Sequence, residues 1–136
     1  MFHNVIGEQD DLEAKKVKRV VMCSGKVYYD LLEQRRKNEQ TDVALVRLEQ
    51  LYPFPAEECE KVLAPYKHVK DWVWCQEEPQ NQGAWYSSQH HFRQIIPDGA
   101  KLRYAGRDAS ASPAVGYVSV HSQQQKALVD DALTIK

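Results

Sequence analysis

Apolar and polar positions along the chain alternate between two rhythms. Short apolar runs occur at Lys18–Ser24 (KRVVMCS), Val43–Leu48 (VALVRL) and Asp71–Gln76 (DWVWCQ), with a weaker one at Lys101–Ala105. Runs of this length, rich in Val, Leu and Trp, read as strands buried on both faces. Between them the period lengthens. Val27, Tyr28, Leu31, Leu32 and Arg35 recur at helical spacing. A second helix turns Val62 and Leu63 inward; Pro55 suits its first position, Glu57 and Glu58 its first turn, and Pro65 its end. Trp85, Ser88, Phe92 and Ile95 share one face of a third helix that Pro97 closes. The last helix carries Leu128, Val129, Ala132 and Leu133, and its start is predicted at Ser122, where Gln125 completes a capping box. Gly25 and the group Pro79, Asn81 and Gly83 mark turns, and a loop of small residues runs from Gly106 to Gly116.

Strand followed by helix, four times over, predicts an α/β fold with a mainly parallel sheet and helices on both faces. Phe2–Ile6 is expected to add an edge strand, and the polar stretch Gly7–Lys16 to act as a connector. This divides the chain into an edge strand with connector (residues 1–16) and a domain (residues 17–136). Composition agrees with one globular unit: 136 residues, 43% hydrophobic and 27% charged. With 18 Lys and Arg against 19 Asp and Glu, the net charge of −1 gives no footprint for nucleic acid or for an anionic membrane. No apolar run approaches the ~20 residues of a membrane span, and Met1–Asn4 has no signal-peptide character.

The chemistry-bearing residues form no complete catalytic set. Cys23, Cys59 and Cys75 are odd in number and lack C-x-x-C spacing, which disfavours disulfides and zinc and fits buried, reduced thiols of a cytosolic protein. Ser24-Gly25-Lys26 sits at a strand-to-helix turn, but Val20 stands where a P-loop needs its first glycine. His90 and His91 are adjacent on a helix and point about 100° apart, so they do not share a metal. Glu77-Glu78-Pro79-Gln80-Asn81-Gln82-Gly83-Ala84-Trp85 lies at the carboxyl end of the third strand, where open α/β sheets bind ligands. Two adjacent carboxylates repel a phosphate and diverge too far for paired acid/base work, which leaves an interface turn as the reading of Glu77, Glu78, Asn81 and Trp85. Arg93, Arg103 and Arg107 are candidates for gathering near the last strand to bind phosphate or carboxylate, against the plainer alternative of solvated, ion-paired surface arginines. Trp72, Trp74 and Trp85 read as core or interface residues.

Four stretches taken together resemble one family: KRVVMCSGKVYYDL (Lys18–Leu31), VRLEQLYPFP (Val46–Pro55), VWCQEEPQNQGAW (Val73–Trp85) and RYAGRDASASPAVG (Arg103–Gly116). The chain is similar to the C-terminal domain of the thiamine diphosphate-dependent 2-oxoglutarate dehydrogenase decarboxylating component. That resemblance implies a transketolase C-terminal-like fold: a three-layer α/β/α sandwich with a five-stranded, mainly parallel sheet and one antiparallel strand, supplied by Phe2–Ile6. It further implies a homodimeric, cytoplasmic bacterial parent enzyme that decarboxylates 2-oxoglutarate on thiamine diphosphate with magnesium. The parent passes succinyl to the lipoyl succinyltransferase component in the citric acid cycle. The family's metal- and diphosphate-holding Gly-Asp-Gly motif and its downstream Asn are absent here. The expectation is therefore a fragment with no catalytic residue, no cofactor and no metal of its own. Its roles would be at a subunit interface and in effector binding through Arg93, Arg103 and Arg107. Rival readings are the same domain from transketolase or pyruvate dehydrogenase, or a free-standing flavodoxin-like ligand-binding or protein-interaction module.

Overall fold

The three strongest apolar runs become the centre of a single sheet. The computed structural model describes residues 4–107 and 118–135. In chain order the elements are β1 (Val5–Ile6), a 3-10 turn (Ala14–Lys16), β2 (Arg19–Cys23), α1 (Val27–Lys37), β3 (Val43–Leu48), α2 (Ala56–Leu63), a second 3-10 turn (Ala64–Tyr66), β4 (Asp71–Pro79), α3 (Gly83–Ile95), β5 (Lys101–Arg107) and α4 (Val118–Leu133). The strands lie in the order β1-β3-β2-β4-β5. All pairs are parallel except β1 with β3, which is antiparallel. The fold is thus the expected three-layer sandwich with one antiparallel edge strand; Phe2 and His3 fall outside the described residues.

Each face of the sheet has its own core. On β2 and β4, Val20, Met22, Trp72 and Trp74 point to the side covered by α2 and α3, where Cys59, Leu63 and Phe92 meet them. Val21, Cys23, Val73 and Cys75 point to the other side, covered by α1 and α4 through Leu31, Leu128 and Ala132. Side-chain alternation along a strand produces this division. Helices on both faces explain why these strands lack a polar side; burying each such Val or Leu is worth roughly 1.5–3 kcal/mol. The crossovers β2-α1-β3 and β3-α2-β4 run in opposite directions across the sheet, which puts α1 and α2 on opposite faces.

Three details depart from the sequence reading. β4 continues to Pro79 rather than stopping at Gln76. α4 begins at Val118, so Ser122 lies inside the helix and does not cap it. Nothing between Val118 and Ser122 breaks a helix, so the helix already runs from Val118, and Ser-x-x-Gln is too short a pattern to override that. Pro55 is the residue before α2, not its first helical position. Residues 108–117, which hold most of the small-residue loop and of the last resembling stretch, lie outside the described residues.

The connector is less peripheral than its polarity suggests. Both Arg35 terminal nitrogens donate to Glu8, one at 2.6 Å, and one of them also donates to Asp10 at 2.9 Å. Glu8 Oε1 accepts the amide of Leu45 at 2.8 Å. The Arg35 side chain is 1% exposed and that of Glu8 8%, so this is a buried ion pair tying residues 8–10 to α1 and β3.

Candidate functional site

In this sheet order the topological switch lies between β2 and β4, because α1 leaves β2 toward β3 on one side and β4 lies on the other. The crevice at the carboxyl ends of these strands is the default ligand position of an open α/β sheet. Its walls are the Ser24–Lys26 turn, the first turn of α1 with Asp30, and the end of β4 with Glu77.

The end of β4 is irregular. From Cys75 to Pro79 the strand advances four residues while its partner β5 advances two, Ala105 to Arg107. Gln76, Glu77 and Glu78 form this bulge, and a bulge re-aims side chains and bends the strand. Gln76, 2% exposed, holds it together. Its Oε1 accepts Trp74 Nε1 and the Trp85 amide, both at 2.9 Å, while its Nε2 donates to the carbonyls of Glu78 at 3.0 Å and Gln82 at 2.9 Å. One amide side chain thereby ties β4, the turn and the first turn of α3 together. Tyr104 adds a hydroxyl donor, 2.6 Å from the Arg107 carbonyl and 3.2 Å from that of Glu78. Gly106 makes the close approach possible: a Cβ there would stand 2.7 Å from the Gln76 carbonyl oxygen and 2.5 Å from the Tyr104 hydroxyl.

Glu77 points to the α1/α4 side, where Gln125 of α4 bridges two walls of the crevice. Gln125 Nε2 donates to Glu77 Oε1 at 2.9 Å and to Asp30 Oδ2 at 2.8 Å, bridging β4 and α1. Gln125 Oε1 in turn accepts Arg107 Nη2 at 3.3 Å, and Arg107 Nη1 donates to Gln124 Oε1 at 3.3 Å. A neutral amide thus separates two carboxylates from one another and links them to a guanidinium that is 7% exposed.

The candidate residues therefore occupy different environments. Glu77 and Arg107 meet through Gln125. Glu78 and Asn81 are exposed on the turn. Trp85 is 8% exposed and packs against Tyr104, ring centroids 5.4 Å apart, inside this chain's own core. Its neighbour Tyr86, 70% exposed, is the aromatic residue that faces outward. Sequence reasoning missed Tyr86 because position alone does not tell which of two adjacent aromatics a helix buries. The three arginines do not gather. Arg93 stacks over Trp85 at 5.9 Å on the α2/α3 face. Arg103 and Arg107 lie on the opposite face, and Arg103 is paired with Asp131 of α4 at 3.0 Å. Period-2 alternation and the 13 residues of α3 separate them, which proximity in sequence concealed. The His90 and His91 rings do not point apart but touch, with centroids 4.0 Å apart, and His91 stacks on Phe54 at 4.7 Å.

The cysteines supply no nucleophile to this site. All three cysteines are buried and form no disulfide with one another. Burial, and then the carboxylate of Glu58, pushes Cys59 up to about 12. Burial does most to raise Cys75 to about 12, and burial with the neighbouring Cys75 raises Cys23 far above the ordinary thiol range. Among the described residues no three His, Cys, Asp or Glu side chains converge so as to hold a metal ion. The described residues thus do not assemble a cluster of the kind that holds magnesium and a diphosphate. None of the described helices is long and apolar enough to cross a membrane.

Comparison with known proteins follows the same lines. The family model described as 2-oxoglutarate dehydrogenase C-terminal matches residues 1–133. The 2-oxoglutarate dehydrogenase E1 component of Haemophilus influenzae is 69% identical over 133 residues, covering 98% of this chain and 14% of that protein. That of Azotobacter vinelandii is 58% identical over 137 residues, covering 98% and 14%. The oxoglutarate dehydrogenase of Buchnera aphidicola is 50% identical over 134 residues, covering 98% and 15%. The chain spans about one seventh of the length of these curated relatives.

Proposed function

Because the chain belongs to the 2-oxoglutarate dehydrogenase C-terminal family, the C-terminal domain of the E1 component, we propose that it is a non-catalytic domain that shapes a contact surface in that enzyme. The observation that carries this reading is the bridging of the switch crevice by Gln125. Where an open α/β sheet ordinarily receives a ligand, Gln125 of this chain's α4 joins Glu77 to Asp30 and ties both to Arg107. A crevice cross-linked in this way holds a surface in shape rather than a substrate.

The surface so held is the β4–α3 turn. Glu78, Asn81 and Tyr86 stand outward from it, while Gln76, Tyr104 and Gly106 fix its backbone. Exposed aromatics beside polar groups suit a packed interface with a polar rim. The partners in this reading are the rest of the E1 chain and a second subunit of a homodimer. The parent decarboxylates 2-oxoglutarate on thiamine diphosphate and magnesium bound by other segments, and passes succinyl to the lipoyl transferase component, in a bacterial cytoplasm. Thiamine chemistry is assigned to no residue of this chain.

The test is titration calorimetry of the 136-residue chain with thiamine diphosphate and magnesium, together with an assay for carbon dioxide release from 2-oxoglutarate. No heat and no release are expected. Saturable binding or turnover overturns the non-catalytic reading.

A further inference from the structure

The end of the sheet opposite the switch crevice carries a different charge pattern. A groove of about 620 Å³ opens there, lined by Lys15, Lys16, Lys18 and Lys70, with Asp42 as the only carboxylate of its lining. All four lysines are exposed. Lys18 and Lys70 each stand one residue before the register pair Arg19 and Asp71 of β2 and β4, so they emerge side by side. Like charges on neighbouring strands repel. Among the described residues, Lys16 alone of the four has a carboxylate partner, Glu13 at 3.3 Å, and that pair is open to solvent. In a chain of net charge −1 this concentration is local, and it calls for an anionic partner.

The groove's chemistry selects the kind of anion. Compact phosphates are held by free backbone amides, typically at a helix N-terminus. Here the amides are engaged: Lys18 and Arg19 donate to the Asp42 carbonyl at 2.7 and 3.2 Å, Val69 to Tyr66 at 2.9 Å, and Lys101 to Lys70 at 2.8 Å. The lining contains no arginine with which to fork a phosphate. What remains is a set of ammonium groups on long stems, contributed by two separate chain segments and able to follow an irregular row of carboxylates. We propose that this groove docks an acidic, extended segment of a partner protein.

The test uses the 136-residue chain and a fluorescent short peptide of alternating Asp and Glu, read by anisotropy at low and at physiological ionic strength. Saturable binding that weakens with salt is expected. The variant K15Q/K16Q/K18Q/K70Q is expected to bind ~10-fold more weakly or worse, while K26Q/K37Q/K61Q/K126Q, with the same change in net charge, stays within about twofold. Should the groove variant lose its far-ultraviolet circular dichroism, K18Q/K70Q is read against K26Q/K61Q instead. The proposal is overturned by no binding at low salt or by equal weakening in both variants. It is equally overturned if tripolyphosphate or a short single-stranded DNA displaces the peptide at matched charge.

Discussion

At the scale of single residues, the site rests on close packing around one amide. Gly106 is the sharpest case, because its neighbours across the gap include the backbone oxygen of Gln76, which has no freedom to move aside. Gly106→Ala is expected to cost ~1–3 kcal/mol by overpacking and to loosen the bulge that Tyr104 and Gln76 hold. Gly25 gives the contrast. A Cβ there meets nothing within 4 Å, but the residue sits at φ +77°, so Gly25→Ala carries only the left-handed backbone penalty of ~1–2 kcal/mol. Urea denaturation measures both. The two are separated by the near-ultraviolet signal of Trp74 and Trp85, which Gly106→Ala alone should alter. An unchanged aromatic signal with unchanged stability in Gly106→Ala would remove the close approach from the account of the site. Little of this was legible in the sequence. Pro79 inside a strand was a usable sign of a bulge, but a glycine opposite a bulge looks like any other glycine.

At the scale of elements, periodicity carried most of the fold, since the core of each strand and helix is a local pattern. Val27, Leu31 and Arg35 of α1 and Leu128, Val129 and Ala132 of α4 are buried as their spacing required. Arg35, though charged, falls on the buried face because its partner comes from far away in the chain, and pairing across 27 residues leaves no trace in local spacing. Breaking this buried pair is expected to be severe: Glu8→Ala leaves the Leu45 amide unpaired and the buried guanidinium with only Asp10 and the Val43 carbonyl, and should cost ~3–5 kcal/mol, whereas Glu8→Leu with Arg35→Met should cost less than the single change. Denaturant midpoints decide between them, and a single-change cost below ~1 kcal/mol would make residues 8–10 a loose tether. Asp10 adds a pH dependence. Hydrogen bonding by Arg36, and then Arg35, holds its carboxyl at about 2, below its ordinary 3.8. A depressed carboxylate stabilises the fold fully above the unfolded value and loses that contribution as pH falls from about 4 toward 2. Asp10→Asn should therefore lower stability at neutral pH and flatten the acid limb of the stability profile in that window. An acid limb as steep as that of the unsubstituted chain would show that the pairing is not formed in solution.

At the scale of the whole molecule, two opposite ends of one sheet are put to different uses. Helix N-termini and strand carboxyl ends meet at the switch crevice, where a ligand would ordinarily enter, and Gln125 of α4 bridges it. The other end bears the lysine-lined groove. Family membership could be read from the clustered motifs, whereas the bridging of the crevice could not, because Gln125 reaches Asp30 from 95 residues away. A scaffold with a bridged crevice and a two-sided core should open as one unit, and the three thiols can report this. Cys23 and Cys75 are register partners at the sheet centre, while Cys59 lies in the core on the other face. Their thiolates are suppressed by burial, with Cys59 and Cys75 near 12, so an aromatic disulfide reagent at mildly alkaline pH reaches them only through unfolding. In native buffer all three are expected to react slowly and at a common rate, which rises with urea in proportion to the unfolded population. If Cys59 reacted well ahead of Cys23 and Cys75, the α2/α3 layer would be opening by itself, and the rigid-surface reading of the β4–α3 turn would fail with it.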